Sequence, residues 1–187
     1  GAGSGLYGMM VFVLVGVFVS GLMVGRTPEY LGKKIEAFEM KMAALVVLVP
    51  SAVVLVGTAA TLLQGQAGSW ITNPGPHGFS QVLYAWSSAA NNNGSSFAGL
   101  AADQPFLDLG LGLAMLAGRY APMAAVLALA GSLAAKKRTP PGPGTLPTHS
   151  PFFVAVIVAI VLLVGALTFL PALAAGPLAD HFAAFRG

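Results

Sequence analysis

The chain has 187 residues, 56% of them hydrophobic and 8% charged, with a mean hydropathy of +0.80. A soluble domain carries about 25% charged residues, so this composition cannot solvate a globular surface, whereas a surface facing lipid needs no charge. Cysteine is absent, which excludes disulfide scaffolds, thiolate metal sites and cysteine nucleophiles.

Residues 5–25 contain no charge and are rich in Val, Phe, Met and Leu. About 20 such residues cross a hydrocarbon core of roughly 30 Å, so this is a first span. It follows a glycine-rich start at Gly1, with no methionine and no basic n-region of a secretory signal. This start reads as the C-terminal part of a longer protein. The polar stretch 26–41 comes next. Thr27 as a helix N-cap, Pro28 at the first helical position and Glu29 at the positive dipole end predict a short interfacial helix. It runs into a second span at 42–63, with Pro50 placed to kink it.

Residues 64–76 form a loop, with turn signals at Asn73-Pro74-Gly75-Pro76. The segment 77–100, HGFSQVLYAWSSAANNNGSSFAGL, has helical character over 78–90 but is too short to span, and it ends in three asparagines and a glycine. A stretch of 10–14 apolar residues reads as re-entrant or buried. A third span covers 105–134 and contains Arg119 and Pro122. Lys136, Lys137, Arg138 and the Pro/Gly-rich run 139–147 form a linker. A fourth span, 151–173, stops near Pro171 and leaves a short interfacial tail at 174–187.

The pI near 9.5 reflects nine Lys/Arg against six Asp/Glu. Arg26, Lys33, Lys34 and Lys41 lie in one loop and Lys136, Lys137 and Arg138 in another, while 64–104 has no Lys or Arg. This is a topology signal rather than a nucleic-acid footprint. Four spans with a re-entrant loop put both basic loops on the cytoplasmic side and 64–104 outside; a fifth span would separate them. The fold expected is an all-α membrane protein with four transmembrane helices plus one re-entrant pore loop.

Backbone exposed at membrane depth is tolerated only inside protein or along a water-filled cavity. Asn91-Asn92-Asn93-Gly94-Ser95-Ser96 suits such a backbone, because Asn and Gly enter left-handed conformations cheaply. Consecutive carbonyl oxygens turned to one side can replace the hydration shell of a cation. A plain loop tip in water is the competing reading. Arg119 is the basic residue inside a span, and such a residue faces a cavity or a partner. It reads either as a gating charge near an ion path or as half of a structural ion pair with Asp108 or another carboxylate. His77, His149 and His181 have no metal-ligand spacing, so no transition metal is expected. The GxSxG and GxxxxGK[ST] patterns are also absent. Gly110, Gly112, Gly118 and the Ala-rich 124–135 read as close helix packing.

Four stretches, GRTPEYLGKKIE (25–36), NPGPHGFSQVLYAWSSAANNNGSSFAGL (73–100), GTLPTHSP (144–151) and LLVGALTFLPALAAGP (162–177), resemble the potassium-binding A subunit of the Kdp potassium-transporting P-type ATPase. The resemblance runs through nearly the whole chain. It implies potassium-channel-like helix–pore loop–helix repeats, with 1–25 as the last helix of a third repeat and 26–41 as a cytoplasmic loop. Residues 42–134 are then a fourth repeat, 135–150 a cytoplasmic linker, and 151–187 a final helix and extracytoplasmic tail. It further implies a K+ filter at Asn92, Asn93, Gly94 and Ser95, with Gly94 as the filter glycine and Arg119 as a charge on the ion path. The chain would be a non-catalytic subunit of a bacterial inner-membrane complex. A P-type ATPase subunit would bind ATP, small membrane subunits would complete the complex, and no organic cofactor or nucleic acid would be involved. The alternatives are a potassium channel or ion-coupled transporter without an ATPase partner, and a membrane assembly protein that transports nothing.

Overall fold

The computed structural model describes residues 5–73, 75–101, 103–140, 142, 145–168 and 170–185. Gly1 at the expected start, Pro74 of the expected turn, Gly144 of the GTLPTHSP stretch and the last two tail positions lie outside the described residues. In chain order the elements are α1 (Gly5–Val24), β1 (Glu29–Tyr30), β2 (Lys33–Lys34), α2 (Ala37–Leu62), α3 (Ala67–Trp70), α4 (Pro76–Ala90), α5 (Pro105–Ala135), α6 (Pro151–Thr168) and α7 (Leu170–Ala184). Helices α1, α2, α5 and α6 are the four long and apolar enough to cross a membrane, as the composition requires. Helices α2 and α5 continue through Pro50 and Pro122. Packing divides the chain into two compact units, one of Gly1–Val47 with Pro122–Gly165, the other of Leu48–Ala121 with Ala166–Gly187.

In the first unit, Val11, Leu14 and Val17 of α1 bury against Ala43, Leu129, Phe153 and Ile157. Helix α1 ends where Gly25 turns left-handed, φ 69°. The Arg26 N–H then reaches the Gly21 carbonyl at 2.7 Å and the Gly25 N–H the Leu22 carbonyl at 3.3 Å, a Schellman ending. The interfacial helix expected from Thr27, Pro28 and Glu29 is not formed. Leu31 and Gly32 both take positive φ, 51° and 74°, the geometry of a two-residue hairpin turn, and Glu29 pairs with Lys34 across it. The physical reason lies in the linker. Thr27 bridges to Thr145, Arg26 Nη1 donates to the Thr145 carbonyl at 3.2 Å, and the Thr139 N–H donates to the Gly32 carbonyl at 2.7 Å. These long-range partners satisfy a hairpin and leave nothing for a helix to cap.

Just beyond the hairpin, Glu39 is buried (1% exposed). Its carboxylate accepts the Glu36 N–H at 2.8 Å, the returning arm of a capping box at the start of α2. It also meets Lys136 Nζ at 2.7 Å and accepts a short hydrogen bond from Ser132. Lys136 further reaches Glu36 at 3.2 Å and the Lys34 carbonyl at 3.0 Å. Burial works against the Lys136 ammonium, but the hydrogen bonds and charges of Glu39 and Glu36 outweigh it and raise its pKa above the ordinary lysine value. Lys33 caps the last turn of α5 through the carbonyls of Leu133 (2.5 Å) and Ala134 (3.3 Å).

In the second unit, Trp86 of α4 is the central packing residue. It is 6% exposed and packs with Val54, Val82, Leu83 and Ala114. Gly57 of α2 lies so close that a Cβ there would collide with the indole, and Gly110 of α5 lies nearly as close. The indole N–H donates to Thr61 Oγ1 at 2.8 Å, and that hydroxyl donates to the Gly57 carbonyl at 2.9 Å. Gly118 is equally required, since a Cβ there would strike the Ala90 carbonyl at the end of α4, whereas Gly112 has open space around it. Two of the three glycines read as packing positions therefore serve that purpose. Residues 170–184, read as the end of a span and a tail, form α7, which packs along α4. The spanning helix α6 is described to Thr168, and Phe169, which separates it from α7, lies outside the described residues.

Candidate functional site

The expected short helix is α4, Pro76–Ala90, fifteen residues long and too short to cross. Proline enters at its first position, and His77 Nδ1 meets Asp180 Oδ2 of α7 at 2.9 Å. At its other end the chain leaves by a second Schellman ending. Asn92 is left-handed at φ 61°, the Asn92 N–H reaches the Ala89 carbonyl at 2.9 Å, and the Asn93 N–H reaches the Ser88 carbonyl at 2.9 Å. The asparagine run is thus, locally, a helix stop that exploits the tolerance of Asn for this conformation.

Of the residues singled out by sequence, Asn92, Asn93, Gly94 and Ser95 follow directly on this stop. Gly94 has φ 77°, with no atom within 4 Å of where a Cβ would stand, so conformation and not space demands glycine there. Arg119 is brought to the same place: its Nε donates to Asn92 Oδ1 at 3.3 Å. The Asn92 amide in turn donates to the Met115 carbonyl at 3.3 Å and the Ala90 carbonyl at 3.4 Å, so its side chain joins the end of α4 to α5. Among the described residues Arg119 makes no ion pair. Asp108 stands three turns back on the same helix, about 16 Å along its axis, beyond the reach of the guanidinium. Asp108 instead lines a cavity of about 180 Å³ together with Gly94, Ser95, Ser96 and Leu107.

Sequence reading missed the residues that hold this loop. Ser88 is 3% exposed, and its Oγ accepts the Ser95 N–H at 2.7 Å and lies 3.0 Å from Ser95 Oγ. Tyr84 places its hydroxyl 2.8 Å from Ser95 Oγ and stacks its ring on Phe97 at 4.6 Å. Gln81, 1% exposed, accepts the Thr72 N–H at 3.3 Å and donates to the Ala98 carbonyl at 3.5 Å, tying the entry of the segment to its exit. The signal for all three was spacing: 81, 84 and 88 recur at intervals of three and four, one face of a helix.

Among the described residues, no hydrogen bond ends on the backbone carbonyl oxygens of positions 91–96, although several end on their N–H groups and side chains. These carbonyl oxygens, which take no donor among the described residues, follow the partially negative end of a helix and lie beside the cavity that Asp108 lines. Fold and site together define a polytopic membrane protein in which a short helix and a carbonyl-rich loop lie between two spanning helices.

The family model of the potassium-transporting ATPase A subunit matches residues 1–182, and the chain belongs to that family. Among its relatives, a potassium-transporting ATPase potassium-binding subunit from Sorangium cellulosum is 66% identical over 97% of this chain and 31% of that protein. The protein of the same name from Methylococcus capsulatus is 64% identical over 97% of this chain and 30% of its own length. That from Pectobacterium carotovorum is 62% identical over 97% and 32%. The chain spans about three tenths of the length of the curated relatives it matches.

Proposed function

We propose that this chain is part of the potassium-binding and translocating subunit of an ATP-driven uptake complex, and that residues 92–95 supply one segment of its ion filter. The observation that carries the reading is the set of carbonyl oxygens at 91–96 that accept no hydrogen bond among the described residues, at the negative end of α4 in a chain of this family. Carbonyls with no internal partner can take the place of water around a dehydrated monovalent ion. Asn92 and Gly94 supply the left-handed residues that such a backbone needs. Relatives named as potassium-binding subunits support K+ as the ion.

Arg119 acts in this reading as a fixed charge on the ion path, held beside the loop through Asn92. The domain boundaries follow the repeat pattern, with 42–134 as a complete helix–pore loop–helix repeat joined to the end of the repeat before it. The basic loops 26–41 and 135–150 face the cytoplasm and 64–104 faces outward across a bacterial inner membrane. Catalysis belongs to a P-type ATPase subunit that binds ATP, with small membrane subunits completing the assembly.

The test uses the full-length subunit with its partners, comparing wild type with Gly94→Ser. Left-handed backbone disfavours serine, so the K+ concentration for half-maximal uptake rises by about tenfold or more, about 1.4 kcal/mol, and discrimination against Rb+ weakens. Unchanged K+ dependence and ion preference in a fully assembled complex would make 91–96 an ordinary loop.

A further inference from the structure

Ser88 grips the loop at two places at once. Its backbone carbonyl accepts the Asn93 N–H at 2.9 Å, and its side-chain oxygen accepts the Ser95 N–H at 2.7 Å. These two donors are alternate residues of the loop, and both therefore point back onto the last turns of α4. In a trans peptide the N–H of one residue and the C=O of the residue before it lie in one plane and point in opposite directions. No cis peptide occurs among the described residues. Directing the Asn93 N–H onto Ser88 thus turns the Asn92 carbonyl away from α4. Directing the Ser95 N–H onto Ser88 Oγ turns the Gly94 carbonyl away as well.

We propose that the Ser88 hydroxyl is a positioning and specificity-determining group: it fixes the outward aim of the Gly94 carbonyl, with Tyr84 also holding Ser95 through its side-chain oxygen. This inference rests on the filter reading above. The backbone arm of the grip is common to any helix that ends in this way, and it orients only Asn92. The side-chain arm is no part of that ending, and it acts on the peptide that follows the left-handed Gly94.

Ser95 Oγ links the three hydroxyls. Ser95 Oγ lies within 3.0 Å of Ser88 Oγ and 2.8 Å of the Tyr84 hydroxyl. Ser88 is buried, whereas Tyr84 is 39% exposed, so the stronger constraint falls on Ser88. A carbonyl held from behind by a buried hydrogen bond resists rotating to suit an ion of another size. A carbonyl released from it adapts, and selectivity falls with that adaptation.

The experiment measures K+ and Rb+ uptake by the complete complex with full-length subunits carrying Ser88→Ala, Ser88→Thr, Tyr84→Phe or Gly94→Ser. Loss of a buried hydrogen-bond acceptor predicts that Ser88→Ala raises the half-saturating K+ concentration about tenfold and narrows the K+ over Rb+ preference. Ser88→Thr retains the hydroxyl and most of the wild-type preference, and Tyr84→Phe shifts preference in the same direction by a smaller factor. If Gly94→Ser alters ion preference while Ser88→Ala and Tyr84→Phe leave it untouched, the positioning role is overturned and the filter reading stands. If none of the variants alters preference in assembled complexes, the filter reading itself fails. Equal loss in Ser88→Ala and Ser88→Thr would assign the effect to packing and overturn the role of the hydroxyl. Should Ser88→Ala fail to assemble, Tyr84→Phe decides: an unchanged preference there overturns the proposal, and a reduced one supports it.

Discussion

Two polar regions of this apolar chain handle their backbone and side-chain groups in opposite ways. Around Glu39 every strong group is answered from within: the carboxylate by Lys136, Ser132 and the Glu36 N–H, and the Lys136 ammonium by two carboxylates and the Lys34 carbonyl. At residues 91–96 the N–H groups of Asn91, Asn92, Asn93 and Ser95 and the side chains of Asn92 and Ser95 are likewise held, yet the carbonyls take no donor among the described residues. A region satisfied on all sides is a fastening. A region satisfied on one side only presents its other side to something else. Stability should therefore depend on the first and ion preference on the second, and substitutions can separate the two.

Because Trp86 closes on glycines of both flanking helices, Trp86→Ala carries the largest expected stability loss, about 4 kcal/mol. Thermal unfolding of the full-length subunit in detergent would register it, and the K+ dependence would change as well because α4 carries the loop. Lys136→Met strands the buried Glu39 carboxylate and costs about 3 kcal/mol. Ion preference in whatever complex assembles stays that of wild type, and a change in preference would blur the division between the two regions. Adding Glu39→Leu to Lys136→Met recovers much of the loss, since a buried pair can be replaced by apolar packing.

The raised pKa of Lys136 fixes the sign of the pH response. The contribution is complete below the ordinary lysine value of 10.5 and fades only as the pH climbs through the higher folded value. A fall in stability traceable to this bridge between pH 6 and 9 would contradict the assignment. Thr61→Val removes the acceptor of the Trp86 indole N–H and costs about 2 kcal/mol, read in the same unfolding experiment. His77→Gln, at a site whose histidine side chain is 72% exposed, changes stability by less than about 1 kcal/mol.

Much of the architecture was legible because lipid imposes its own grammar. Apolar runs of spanning length marked α1, α2, α5 and α6, and the shortness of α4 set it apart. The ends were harder to read. The hairpin at Glu29–Tyr30 and Lys33–Lys34 was hidden because its turn places Leu31 at φ 51°, a conformation leucine seldom signals. The contacts that enforce it come from Thr139 and Thr145, more than a hundred residues away.

The loop residues were legible by type, since Asn and Gly announce left-handed backbone. Their supports were not, because Ser88 and Tyr84 look like ordinary members of a short amphipathic helix until the chain doubles back on them. Arg119 was legible as an anomaly in a span, while its partner was not: an asparagine amide rather than a carboxylate.

The claim on which the rest depends is that the free carbonyls of the loop meet the ion. Crystals of the full-length subunit grown with Rb+ in place of K+ would test it directly through the anomalous signal of the ion. The account predicts a peak coordinated by the carbonyl oxygens of Asn92 and Gly94. Ordered ions elsewhere in the protein, with these two carbonyls hydrogen-bonded to other protein groups, would contradict it.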